Sequence, residues 1–139
     1  KNLAGGPGND RVLGGLGSDN LVGNSGNDLV DGGRGSDDIT GDGGTDLLID
    51  GPFRETAVDR LSGGDGNDVF FVDNRPATRD FVTCGSGFDR VGADTKDAVA
   101  PDCERVAVGE AAIEELIAEL EEEGFIETFF GGLPPFPGE

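Results

Sequence analysis

The feature that most constrains this chain is a nine-residue beat. Aligned at that spacing it reads GGPGNDRVL (5–13), GGLGSDNLV (14–22), GNSGNDLVD (23–31), GGRGSDDIT (32–40) and GDGGTDLLI (41–49), and a sixth full copy, GGDGNDVFF, lies at 63–71. Self-similarity at a fixed short period marks stacked units, each too small to bury a core alone. The beat continues in altered form. Asp59-Arg60-Leu61-Ser62 and Asp80-Phe81-Val82-Thr83 close two longer units, 50–62 and 72–83, and CGSGFDRVG (84–92) returns to nine. Asp97-Ala98-Val99-Ala100 and Glu104-Arg105-Val106-Ala107 then end two shorter units, which makes eleven in all.

Two residues after the acid, the units carry Val12, Leu21, Val30, Ile39, Leu48, Leu61, Phe70, Val82, Val91, Val99 and Val106, apolar without exception. The flanking residues are mixed and include Arg11, Asn20, Asp31 and Asp38. One inward residue between two outward ones is the pattern of a three-residue strand, so each unit is a Gly-rich turn followed by a short strand. Two units facing each other bury their apolar residues between them. Stacked coils of two units then give an all-β solenoid with parallel sheets. Glycine suits turns that need positive φ, and it lets backbone carbonyls approach a bound ion.

In such a stack, units n and n+2 share a side. Asp10, Asp28, Asp46, Asp68 and Asp89 therefore fall in one column, and Asp19 and Asp37 begin the other. The expected spacing is that of neighbouring strands, ~4.8 Å, at which uncompensated carboxylates repel. That separation is about twice a Ca–O distance of about 2.3–2.6 Å, so an ion between successive turns can reach a carboxylate from each, with turn carbonyls completing its shell. Magnesium demands shorter bonds and rigid octahedral geometry, and zinc prefers His or Cys, of which the chain has none and two. Calcium is the expected cofactor, at roughly five ions, four on the first column and one on the second. Turns 51–58 and 72–79 lack the glycine pattern, which weighs against ions there.

The units resemble the repeats-in-toxin (RTX) family of hemolysin-type calcium-binding repeats, of form G-G-x-G-x-D-x-U-x with U apolar. The resemblance covers about residues 1–107. It implies a right-handed parallel β-roll, secreted and loaded with calcium outside the cell. Carried onto matching positions, the implied ligands are Asp10, Asp19, Asp28, Asp37, Asp46 and Asp68, together with Asp89 in a unit whose first Gly is replaced by Cys84. Without the ion the region is expected to behave as a flexible Gly-rich chain, because metal binding is then part of the folding free energy. Catalysis is not expected. His, Trp, Tyr and Met are absent, and no P-loop, G-x-S-x-G elbow or EF-hand loop is present.

Charge supports a cation partner. The formal charge is −19, from 10 Lys+Arg against 29 Asp+Glu, which disfavours nucleic acid and anionic membrane surfaces. No apolar run approaches the ~20 residues of a bilayer span, so membrane insertion is not expected. All ten basic residues lie within 1–109, whereas 110–139 holds nine Glu and no base. Two differently built regions are read accordingly: a calcium-binding roll at 1–109 and an acidic, Phe/Pro-rich segment at 110–139. Leu3 sits nine residues before Val12, so the chain opens within a repeat already under way and is expected to continue upstream.

Cys84 and Cys103 fall on the same side one coil apart, within the ~4.4–6.8 Å Cα separation of a disulfide. A bridge there fits an oxidising, extracellular setting. In EAAIEELIAELEEE the residues Ile113, Leu116, Ile117 and Leu120 share one face, and Gly124 is a stop signal, so 110–123 is predicted to be an amphipathic helix. It is expected either to cap the last coil or to fold back on a patch made by Leu29, Leu47, Ile49, Val69 and Phe71, which all point outward from one sheet. At ~21 Å it is long enough to cross about four coils. Phe125, Phe129 and Phe130 in the irregular tail are read as a further contact surface, on this chain or on a neighbour. The functional expectation is an extracellular, calcium-dependent structural or binding module. The alternatives are the C-terminal appendage of a secreted protease, lipase or toxin, and a surface or filament protein that assembles with copies of itself through the solenoid ends or the tail.

Overall fold

The computed structural model describes residues 2–52, 57–74 and 77–125. Each glycine-rich segment turns the chain by just enough to start another short strand. The strands form two parallel six-stranded sheets. One contains β1 (Asn2–Ala4), β3 (Asn20–Val22), β5 (Asp38–Thr40), β7 (Arg60–Ser62), β9 (Phe81–Thr83) and β11 (Ala98–Val99). The other contains β2 (Arg11–Leu13), β4 (Leu29–Asp31), β6 (Leu47–Ile49), β8 (Val69–Val72), β10 (Arg90–Ala93) and β12 (Arg105–Val108). Odd and even strands alternate along the chain, so the architecture is a parallel β-solenoid.

Register follows the repeat. Val12 pairs with Val30, Val30 with Leu48, Leu48 with Phe70 and Phe70 with Val91. The longer units keep this alignment, with Leu61 opposite Ile39 and Val82 opposite Leu61. The inward residues make one continuous core from Val12 to Val91. Cys84 and Ala93 join it, and Leu3, Val99 and Cys103 pack at its margins. Val106 departs from the expected pattern at 40% exposed. It belongs to the last described strand of its sheet, and no later described strand faces it across the core. The Cys84–Cys103 disulfide is formed, with a Cα–Cα distance of 5.3 Å.

The helix α1 (Glu110–Glu122) leaves the stack and folds back. Ile113, Leu116 and Leu120 pack with Leu29, Leu47, Val69, Phe71 and Ala107 on the outer face of the second sheet, and Phe125 joins them. Ile49 lies at the edge of this second core. The helix therefore covers the outward apolar patch rather than the end of the stack, where Val106 and Val108 remain exposed. Full burial of Leu116 and Leu120 contributes about 1.5–3 kcal/mol each. Gly92 lies beneath, where an added Cβ would sit 2.9 Å from the Phe71 ring and 3.4 Å from Ile113. The acidic helix also meets its countercharges here: Arg90 pairs with Glu123 at 2.7 Å and Arg105 with Glu119 at 2.7 Å. Phe129 and Phe130 lie outside the described residues.

Candidate metal centre

The repeat acids stand at the two edges of the solenoid, each at the end of a turn. On one edge the backbone N–H of Asp10 donates to Asp28 Oδ1 at 2.8 Å, Asp28 to Asp46 at 2.9 Å, Asp46 to Asp68 at 2.9 Å and Asp68 to Asp89 at 2.8 Å. Asp89 N–H closes the series on Glu104 Oε1. This is the first column expected from the spacing. On the other edge Asp19 donates to Asp37, Asp37 to Asp59, Asp59 to Asp80 and Asp80 to Asp97. Thus the second column does not stop at Asp37. Asp59, Asp80 and Asp97 extend it, although turns 51–58 and 72–79, which precede the first two, had argued against ions there. Their signal was present in the sequence, since each stands two residues before an inward apolar residue.

One oxygen of each carboxylate is occupied by the ladder. The other is the chemically interesting one. Asp10, Asp28, Asp46, Asp68, Asp80 and Asp89 each bury Oδ2 with no hydrogen-bond partner. An acceptor in that position has lost water and gained nothing in return. The first glycine of each repeat makes this geometry accessible: a Cβ at Gly41 would lie 2.5 Å from Asp46 Oδ2, and one at Gly63 2.6 Å from Asp68 Oδ2. The second glycine position is left-handed, and where the repeat changes it, Asn24 and Asp42 adopt φ of 72° and 71°. These are the residue types that tolerate such a backbone. Outside the acids, Asn9 and Asn27 form a shorter rail, accepting from Asn27 N–H and Thr45 N–H at 2.8 and 2.9 Å. Sequence reading gave those side chains no role.

Burial raises the proton affinity of Asp28, Asp46, Asp68 and Asp89. Asp46 is pushed up to about 7 and Asp68 to about 8, by loss of water first, with backbone N–H bonds opposing and neighbouring carboxylates adding to it. Asp28 moves the same way for the same reason. Asp89 rises to about 6 through burial and the nearby charges of Glu104 and Asp102. A column of this kind tolerates charge only when a counterion replaces the lost solvation. The buried carboxylate oxygens are hard donors of the kind that fits calcium. The two cysteines are joined to each other, so the grouping of Cys84, Cys103 and Asp102 offers no thiolate. Asp102 instead accepts N–H bonds from Cys84 and Gly85 at 3.1 and 2.9 Å.

A parallel solenoid edged by stacked, half-satisfied carboxylates defines a class of metal-dependent repeat protein. The family model described as RTX calcium-binding nonapeptide repeat (4 copies) matches residues 2–21, 13–48 and 56–74. The matched residues carry RTX repeats, and calcium binding by the roll is what such repeats imply. The matched residues contain Asp10, Asp19, Asp28, Asp37, Asp46, Asp59 and Asp68. No curated protein and no solved structure gives a significant match.

Proposed function

We propose that this chain is an extracellular, non-catalytic module that folds on binding calcium, with residues 1–109 forming the roll and 110–139 its cover and contact segment. Ions between successive turns are held by Asp10, Asp28, Asp46, Asp68 and Asp89 on one edge and by Asp19 and Asp37 on the other, with turn carbonyls from the glycines. The glycine turns then hold about five ions. The observation that carries this reading is the series of buried Oδ2 atoms without a hydrogen-bond partner on Asp10, Asp28, Asp46, Asp68 and Asp89. The disulfide supports an oxidising compartment. Among the described residues no helix is long and apolar enough to cross a membrane.

Calcium would supply positive charge and accept oxygen ligands from successive turns. The protein supplies the register that makes coordination cooperative, since every interior acid serves the coil on each side. The test is a calcium titration followed by circular dichroism, with ion stoichiometry from native mass spectrometry. Strand signal is expected to appear with calcium and vanish with chelator. A chelated chain that keeps its strands and its melting temperature would refute the proposal. Attachment to a secreted enzyme or toxin is the alternative context for the same module, and a catalytic domain encoded in the same gene would favour it.

A further inference from the structure

The glycine-turn sites leave part of the second edge unexplained. Asp50 occupies the position that the first glycine holds in the two turns before it. Its N–H bonds to the Phe71 carbonyl, just as Gly14 N–H bonds to Asp31 and Gly32 N–H to Ile49. At that position a side chain is delivered onto the carboxylate ladder, since a Cβ at Gly32 would lie 2.6 Å from Asp37 Oδ2. Asp50 is 2% exposed, and its carboxylate lies within 4.8 Å of those of Asp59 and Asp80, both fully buried.

Asn74, only 1% exposed, packs its amide against this cluster. Its Nδ2 donates to Asp50 Oδ2 at 2.9 Å, while its Oδ1 is buried without a hydrogen-bond partner. Asp80 Oδ2 is likewise buried and without a partner. Two arrangements relieve carboxylates held this close in a dry site: a shared proton or a bound cation. A shared proton answers the carboxylates alone. A hard cation also takes an amide oxygen and accounts for Asn74 Oδ1 and Asp80 Oδ2 together. The neighbouring group of Asp80, Asp94 and Asp97 is different, because backbone N–H groups of Asn74, Thr78 and Lys96 already serve Asp94, and those of Asp80 and Asp94 serve Asp97.

We propose that Asp50, Asp59, Asp80 and the side-chain carbonyl of Asn74 hold a further calcium ion, in a site built without the glycine-turn motif. Burial, with the charges of Asp80 and Asp59 adding to it, holds Asp50 well above the usual carboxylate range. The proposal shares the calcium-loaded fold with the reading above but uses a different turn and a different donor set.

The test counts ions by native mass spectrometry on the full chain at saturating calcium. Asp50→Asn is expected to bind one ion fewer than the parent with an unchanged circular dichroism spectrum. Asp50→Gly, which restores the residue type found at Gly14 and Gly32, is the second variant should the first misfold, and it is expected to lose the same single ion. Either variant folded with the parental count overturns the site and leaves the glycine-turn reading standing. A parent chain that binds no calcium overturns both.

Discussion

Along one edge of this solenoid every acid from Asp10 to Asp89 follows a short turn of the repeat type, while along the other the glycine pattern ends at Asp37 and the segments before Asp59, Asp80 and Asp97 lack it. Yet the same N–H to Oδ1 ladder runs through both. The ladder therefore depends on strand register and on an acid at the strand entrance, not on the glycines. What the glycines add is room. With Gly at the first position, Oδ2 faces backbone. With Asp50 there, the same space holds another carboxylate and an Asn side chain. A regular edge repeats one site many times, whereas an irregular edge composes a local one.

Ion counts per variant challenge this contrast most directly. On the regular edge, Asp46→Ala removes a ligand shared by two intervals and is expected to lose two ions. Asp19→Ala, first of the other column among the described residues, is expected to lose one. Equal losses in calcium-saturated mass spectra would dissolve the column assignment. Next comes the disulfide at the end where the glycine turns give out. Replacing Cys84 and Cys103 by Ser is expected to cost about 3 kcal/mol in denaturant melts of the calcium-loaded protein. A cost near zero would mean that ions alone secure that end.

A smaller effect separates glycines that make room from glycines that do not. Gly41→Ala places a methyl against Asp46 Oδ2 and is expected to cost about 1–3 kcal/mol. Gly43→Ala meets nothing within 4 Å and is expected to stay within about 0.5 kcal/mol of the parent. Thermal melts in calcium that rank the two together would contradict the space argument. The gentlest probe is pH in chelator. Folded values of about 7 for Asp46, about 8 for Asp68 and about 6 for Asp89 exceed the ~4 of an unfolded chain, so the folded state binds more protons across that window. The stability they contribute is complete below about pH 4 and is lost as pH rises through about 6 to 8. Strand signal in chelator should thus increase from pH 8 to pH 4.5, and a flat profile would show that the stacked acids do not govern the ion-free fold.

Much of this arrangement was legible in the sequence because the repeat states it repeatedly. The inward series from Val12 to Val91 and the first column follow from counting, and Leu29, Leu47, Val69 and Phe71 betrayed the helix seat by being apolar where a lone sheet would be polar. Val106 misled because periodicity assigns a side and not a neighbour on that side. Asp59, Asp80 and Asp97 were read as strand markers only, since the altered turns before them drew attention away from a register that never changed. Asn74 was illegible, because it stands in a segment without the glycine pattern and no period governs it.

The rungs of both ladders also share a direction: each amide of an earlier coil ends on a carboxylate of a later one, up to Asp97 on one edge and Glu104 on the other. A chain threading out from its first residue thus offers every coil a donor whose acceptor has yet to arrive. Completion comes from behind, at the segment that holds the disulfide and the helix, so the C-terminal end works as the keystone that lets the preceding arches close.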